Sequence, residues 1–328
     1  MNKIEPYIEA RNLFIEWSKN IPLSMPIEFG SVGCPGISDI DIGLILKDRP
    51  NNYNMLEYLG SFPEKVKTLM NGGTLMLFPE DILKNIEYID DLNIKCLVGN
   101  IDIMHITDRE KYLIGLIQII EWLPERIAKI YKELKSANIN KKRLVGFFYS
   151  MCYSLKKIQE YTGFSKNING FINRIYELRN RWFNLEQDDI DMALQKVSSN
   201  WLNIVLEAID KISLVLSKYF LGGSGSRFNI YGDVNLIASK NISIINDQNS
   251  IFINIPSVFL CTYLAYSDYN SVLGSVINTR ITKSYYLISE EMATILDYRI
   301  DIISRLFDFV KALGCQTGLY KFGWYINE

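Results

Sequence analysis

Histidine is nearly absent from this chain. His105 is the only one in 328 residues. Cysteine is sparse too: Cys34, Cys96, Cys152, Cys261 and Cys315 are odd in number, scattered, and never in Cys-x-x-Cys spacing. That argues against a disulfide framework and against a zinc site, and for a reducing compartment. Nothing in the spacing favours a Cys34–His105 catalytic pair, and Cys34 reads as a small filler of its loop. There is no excess of positive charge: 35 Lys and Arg stand against 37 Asp and Glu, for a net charge of −2. With a pI near 5.7, the general basic field that long nucleic acids require is missing. Long hydrophobic runs are missing as well. The longest apolar-leaning stretch, 255–266, is interrupted by Pro256, Ser257 and Thr262 and is too short to span a bilayer. The opening Met-Asn-Lys-Ile-Glu-Pro lacks the apolar core of a secretory signal. The expectation is a cytoplasmic protein with no membrane partner. No internal repeat is visible.

Hydrophobic residues make up 48% of the chain, enough for real cores, and the length accommodates two or three domains. The most informative stretch runs from Phe29-Gly30-Ser31 through Val32-Gly33-Cys34-Pro35-Gly36-Ile37-Ser38 to Asp39-Ile40-Asp41, followed by Ile42-Gly43-Leu44-Ile45-Leu46. A Gly-Ser pair leads into a Gly- and Pro-rich loop, and the Asp-Ile-Asp opens an apolar run that reads as a buried strand. Strand side chains alternate faces, so Asp39 and Asp41 point the same way. Two adjacent carboxylates repel unless a cation sits between them, and hard divalent metals take such oxygen ligands. The Gly30-Ser31 turn offers backbone N–H groups where the chain can approach a phosphate.

These residues resemble the signature of the DNA polymerase β-like nucleotidyltransferase superfamily: an apolar residue and Gly-Ser, a spacer, then Asp-x-Asp at a strand start, with a third carboxylate on a later strand. Here the spacer between Ser31 and Asp39 is seven residues. The resemblance covers roughly the first third of the chain. It implies that Asp39 and Asp41 hold Mg²⁺ or Mn²⁺ and the triphosphate, and that Gly30 and Ser31 fix the outer phosphates. The third carboxylate is assigned to Asp102, flanked by Ile101 and Ile103 in an apolar stretch read as strand over 94–106. A lone Asp in such surroundings is costly unless paired or metal-bound. If Asp102 faces the site, alternation sends His105 to the opposite face as a packed core histidine.

The implied activity is transfer of a nucleoside monophosphate from a nucleoside triphosphate (NTP) to an acceptor hydroxyl, with release of pyrophosphate. The acceptor is expected to be a small molecule or a protein. An RNA end and a catalytically silent nucleotide-binding scaffold are the alternatives. The fold class expected is α+β. It comprises a small mixed-sheet catalytic domain over 1–108, a helical bundle over 109–220 and a C-terminal α/β region of unassigned role over 221–328. Helix patterns fall at 4–19, 54–69, 109–134, 141–161, 168–184, 188–219 and 289–313. Strands fall at 26–29, 40–46, 74–78, 94–106, 228–237, 242–245 and 251–255. In the first helix, Ile4, Ile8, Leu13, Phe14 and Trp17 form the expected apolar set. The segment 221–226 (Leu-Gly-Gly-Ser-Gly-Ser) reads as a flexible connector. Arg174, Arg179 and Arg181 are the basic residues named for contact with the acceptor.

Overall fold

The computed structural model describes residues 4–30, 32–70, 75–89, 94–165, 167–223, 227–231, 234–247, 250–262 and 286–314. The described elements are α1 (Glu5–Ser18), β1 (Ser24–Phe29), β2 (Asp41–Leu46), α2 (Met55–Gly60), α3 (Glu64–Leu69), β3 (Met76–Pro79), α4 (Glu80–Leu83) and β4 (Ile94–Cys96). They continue with α5 (Asp108–Lys135), α6 (Lys141–Thr162), α7 (Ile168–Arg181), α8 (Gln187–Ser198), α9 (Trp201–Leu216), β5 (Phe220–Gly223), β6 (Arg227–Tyr231), β7 (Val234–Ala238), β8 (Ser243–Asp247), β9 (Ser250–Ile255), β10 (Tyr286–Ile288) and α10 (Glu290–Ala312). The fold is mixed α+β, as the patterning predicts.

By its contacts the chain divides into two units, residues 1–114 with 297–328, and residues 115–296. The sequence reading placed the end of the chain in a region of its own. The structure returns the part of α10 from 297 onward to the first unit. Phe309 and Leu313 join that unit's core, the Tyr298 ring stacks on Tyr88 at 5.4 Å, and Arg305 pairs with Asp81. Arg299 is fully buried, and its guanidinium donates to the carbonyls of Tyr88 and Ile89.

In the first unit the sheet order is β3-β2-β1-β4. β1 runs antiparallel to β2 and β4, and β3 runs parallel to β2. One face of the sheet is covered by α1, whose inward stripe is Tyr7, Ala10, Phe14 and Trp17. Those positions recur at intervals of three and four, as a helix face requires. Ile8 and Leu13, expected inside, lie off that stripe and are exposed. The α1 stripe packs with Ile40, Ile42, Leu44 and Leu46. Its polar anchor is Arg11, which forks onto the buried Glu28 carboxylate through two bonds of 2.6 Å. The expected single helix over 54–69 is two helices. Pro63 caps α3 and disfavours helical conformation in the residue before it, so α2 ends first.

The second unit is helical through α9, then β-rich. α6 starts at Asn140, whose side chain accepts from the Arg143 N–H, and ends at Gly163 with φ 66°. Phe148 of α6 sits edge-on to Phe171 of α7 and Trp201 of α9, at 6.0 and 6.1 Å. The long helix expected over 188–219 breaks at Ser199-Asn200 into α8 and α9. Pro124 leaves α5 as one assigned helix. A four-stranded sheet follows in the order β6-β7-β9-β8. The connector expected over 221–226 differs in its first half, because Gly222 and Gly223 belong to β5 and pair with β10, while 224–226 lie outside the described residues. No described helix is long and apolar enough to cross a membrane.

Candidate active site

β1 delivers Phe29, and the chain leaves the sheet at Gly30, whose φ is +60°. A Cβ there would meet nothing within 4 Å. Glycine is therefore required by the left-handed backbone and not by crowding. Ser31 lies outside the described residues. The loop after it is held by its own hydrogen bonds. The Cys34 carbonyl accepts from Ile37 N (3.0 Å) and Ser38 N (2.8 Å), and the Cys34 N–H donates to the Ser38 hydroxyl at 2.9 Å. Cys34 is buried, as a loop filler would be. A second clamp comes from α1: the Tyr7 hydroxyl donates to the Ser38 carbonyl at 2.5 Å and accepts from Gly36 N at 2.9 Å. Tyr7 was missed by motif reading. Its signal was only its place on the buried α1 stripe, where a Tyr needs a partner for its hydroxyl.

The loop rejoins the sheet at Asp39-Ile40-Asp41. Ile40 N donates to the Leu69 carbonyl at 3.0 Å. Ile40 and Ile42 enter the α1-side core, so alternation turns Asp41, between them, to the other face, while Asp39 stands just before β2. Asp39 is exposed and Asp41 half-buried. Asp41 pairs directly with Phe29 across the β1–β2 ladder, so the two side chains share a face. The loop-exit glycine and the two carboxylates thus meet at one end of the sheet. Gly43 lies two residues further along that face. A Cβ on it would stand 2.7 Å from the Met76 carbonyl oxygen and 3.0 Å from the Phe29 ring. Its absence lets Phe29 lie across β2 and meet Phe78 edge-on at 5.5 Å. Asp41 therefore sits beside an aromatic pair.

The third assigned carboxylate is placed differently from the expectation. β4 covers only Ile94–Cys96. After Leu97 N donates to the Pro26 carbonyl, Gly99 turns the chain at φ 78°. Asp102 lies beyond, in irregular chain, with its side chain exposed. The alternation argument for His105 fails with the strand. The His105 side chain is 79% exposed and its Nδ1 lies 2.9 Å from Glu87. Burial works against the Glu87 carboxylate. Its bonds from His105 and from Ile106 N–H, together with the Lys111 charge, outweigh that and hold its carboxyl below the usual range. Among the described residues no group of three or more His, Cys, Asp or Glu is gathered to hold a metal ion.

The arginines of α7 separate. Arg179 is buried with its guanidinium 3.6 Å from the centre of the Tyr149 ring, an inward packing role. Arg174 and Arg181 are exposed and line one cleft. No family model, curated protein or solved structure matches this chain.

Proposed function

We propose that this chain is a metal-dependent nucleotidyltransferase, moving a nucleoside monophosphate from an NTP to a hydroxyl of a small molecule or protein and releasing pyrophosphate. One observation supports the reading: β1–β2 pairing sets Asp41 opposite Phe29 and so next to the left-handed Gly30 turn, with Asp39 two residues before it at the same end of the sheet. The donor set suits a hard divalent cation, since Asp39 is exposed and Asp41 half-buried two residues apart. Asp39 and Asp41 would hold Mg²⁺ or Mn²⁺, which when bound neutralises triphosphate charge and polarises the α-phosphate. The chain's own part is positional. Gly30 lets the backbone come close to the outer phosphates, and Ser31 would add its hydroxyl. Tyr7 keeps the loop's shape, so the position of the Gly30 turn that begins it is fixed before the phosphates arrive. The acceptor oxygen attacks the α-phosphorus, the bond to pyrophosphate breaks, and the acceptor proton leaves to a carboxylate or to water. Asp102 is the third carboxylate of this proposal, assigned to acceptor activation.

A silent nucleotide-binding role is the second reading, and the lack of a three-ligand group among the described residues favours it. Pyrophosphate release from each NTP, with Mg²⁺ or Mn²⁺ present, separates the two. Asp41→Asn and Asp102→Asn should each fold normally and release pyrophosphate roughly a thousandfold more slowly. Wild type that binds NTP without turnover would favour the silent reading. Full activity in Asp102→Asn alone would remove that residue and leave the rest standing.

A further inference from the structure

The second unit holds a cleft of about 330 Å³ between α7 and α8, within the size range of small-molecule sites. Its floor is apolar, from the buried Leu178 and Val197, and three cations stand around it: Arg174 and Arg181 from α7 and Lys196 from α8. Arg174 and Arg181 are seven residues apart, so they are two turns, about 10 Å, apart along one helix face. The opposing charges are Glu177 and Asp189. Glu177 is engaged by Arg181 at 3.0 Å, an exposed pair of the weak kind. Among the described residues neither Arg174 nor Lys196 has an ion-pair partner within 4.0 Å. With three cations against two anions the cleft is net positive by one charge, and Arg174 and Lys196 over an apolar floor form a surface that an anion with a nonpolar body satisfies. Guanidinium and ammonium groups together suit phosphate oxygens, arginine through its planar fork and lysine as a point charge.

We propose that the α7–α8 cleft is a binding site for a small organic phosphate, its phosphate held by Arg174 and Lys196 and its apolar part resting on Leu178 and Val197. The site does not depend on the nucleotidyltransfer reading. The test uses the full chain in metal-free buffer with EDTA, titrated with phenyl phosphate and with inorganic phosphate and followed by ³¹P NMR. Phenyl phosphate should bind saturably and several-fold more tightly than inorganic phosphate, because only it uses the floor. The double variant R174E/K196E, both positions exposed, should keep its circular dichroism and melting curve and lose roughly tenfold or more in affinity. Asp41→Asn should bind as wild type does. Absence of saturable binding, equal affinity in the double variant, equal affinity for the two probes, or loss of binding in Asp41→Asn would each overturn the proposal.

Discussion

At the residue scale, the loop between Gly30 and Asp39 depends on a side chain from α1. The Tyr7 hydroxyl serves two backbone groups, the Gly36 N–H and the Ser38 carbonyl. Tyr7→Phe leaves the ring in the core and strands both groups, which should cost about 1–3 kcal/mol in urea unfolding. If the loop cradles phosphate, calorimetry should also show weaker NTP binding. Unchanged stability would mean that the hydroxyl contributes nothing to the loop. Gly43 is fixed by crowding, because Gly43→Ala drives a Cβ against the rigid backbone of β3 at Met76. The expected loss is about 1–3 kcal/mol, checked by thermal unfolding. A neutral substitution would show that β2 and β3 can part without cost.

At the element scale, the irregular segment carrying Asp102 is tied down by carboxylates on either side. Glu87 accepts from His105 and from the Ile106 N–H. Glu110 accepts from the Thr107 N–H and hydroxyl and from the Tyr88 hydroxyl, and the Thr107 bonds lead in holding its carboxyl below the usual range. Both carboxyls are more acidic in the folded chain than in the unfolded one, so protonation favours unfolding. Their contribution is complete above the ordinary glutamate pKa and is lost as pH falls through the lowered values. Urea unfolding of wild type should therefore lose stability below about pH 4.5, and Glu87→Gln should flatten part of that slope. An identical pH profile in the variant would show that this clasp does not titrate with folding.

At the scale of the whole molecule, the first unit is closed by residues more than 200 positions away in sequence from its last strand. Phe309 and Leu313 complete the core begun by α1 and β2. Phe309→Ala should cost about 3 kcal/mol, seen as a fall in melting temperature of roughly 6–12 °C. It should also make the N-terminal segment more susceptible to limited proteolysis. A variant that melts like wild type would show that the helix merely rests on the unit. The balanced net charge of −2 belongs to this scale too, since it gives no general field for nucleic acid.

What the sequence alone determined is local. The strand that begins at Asp41, the strand carrying Phe29 and the amphipathic helices follow from patterns of two and three to four residues, because those periods are properties of the backbone. The turn of Asp41 away from the α1-side core was legible because alternation needs no partner strand. The strand over 94–106 and the burial of His105 were misread because the same alternation was extended past Cys96, where β4 ends and Gly99 turns the chain away. Arg179 was expected to contact the acceptor, yet it is buried against Tyr149, a choice made by helix packing and not by charge. The clamp from Tyr7 and the return of α10 were beyond any local pattern. Each joins groups far apart along the chain, and only the burial of one core decides which distant side chains come within bonding distance.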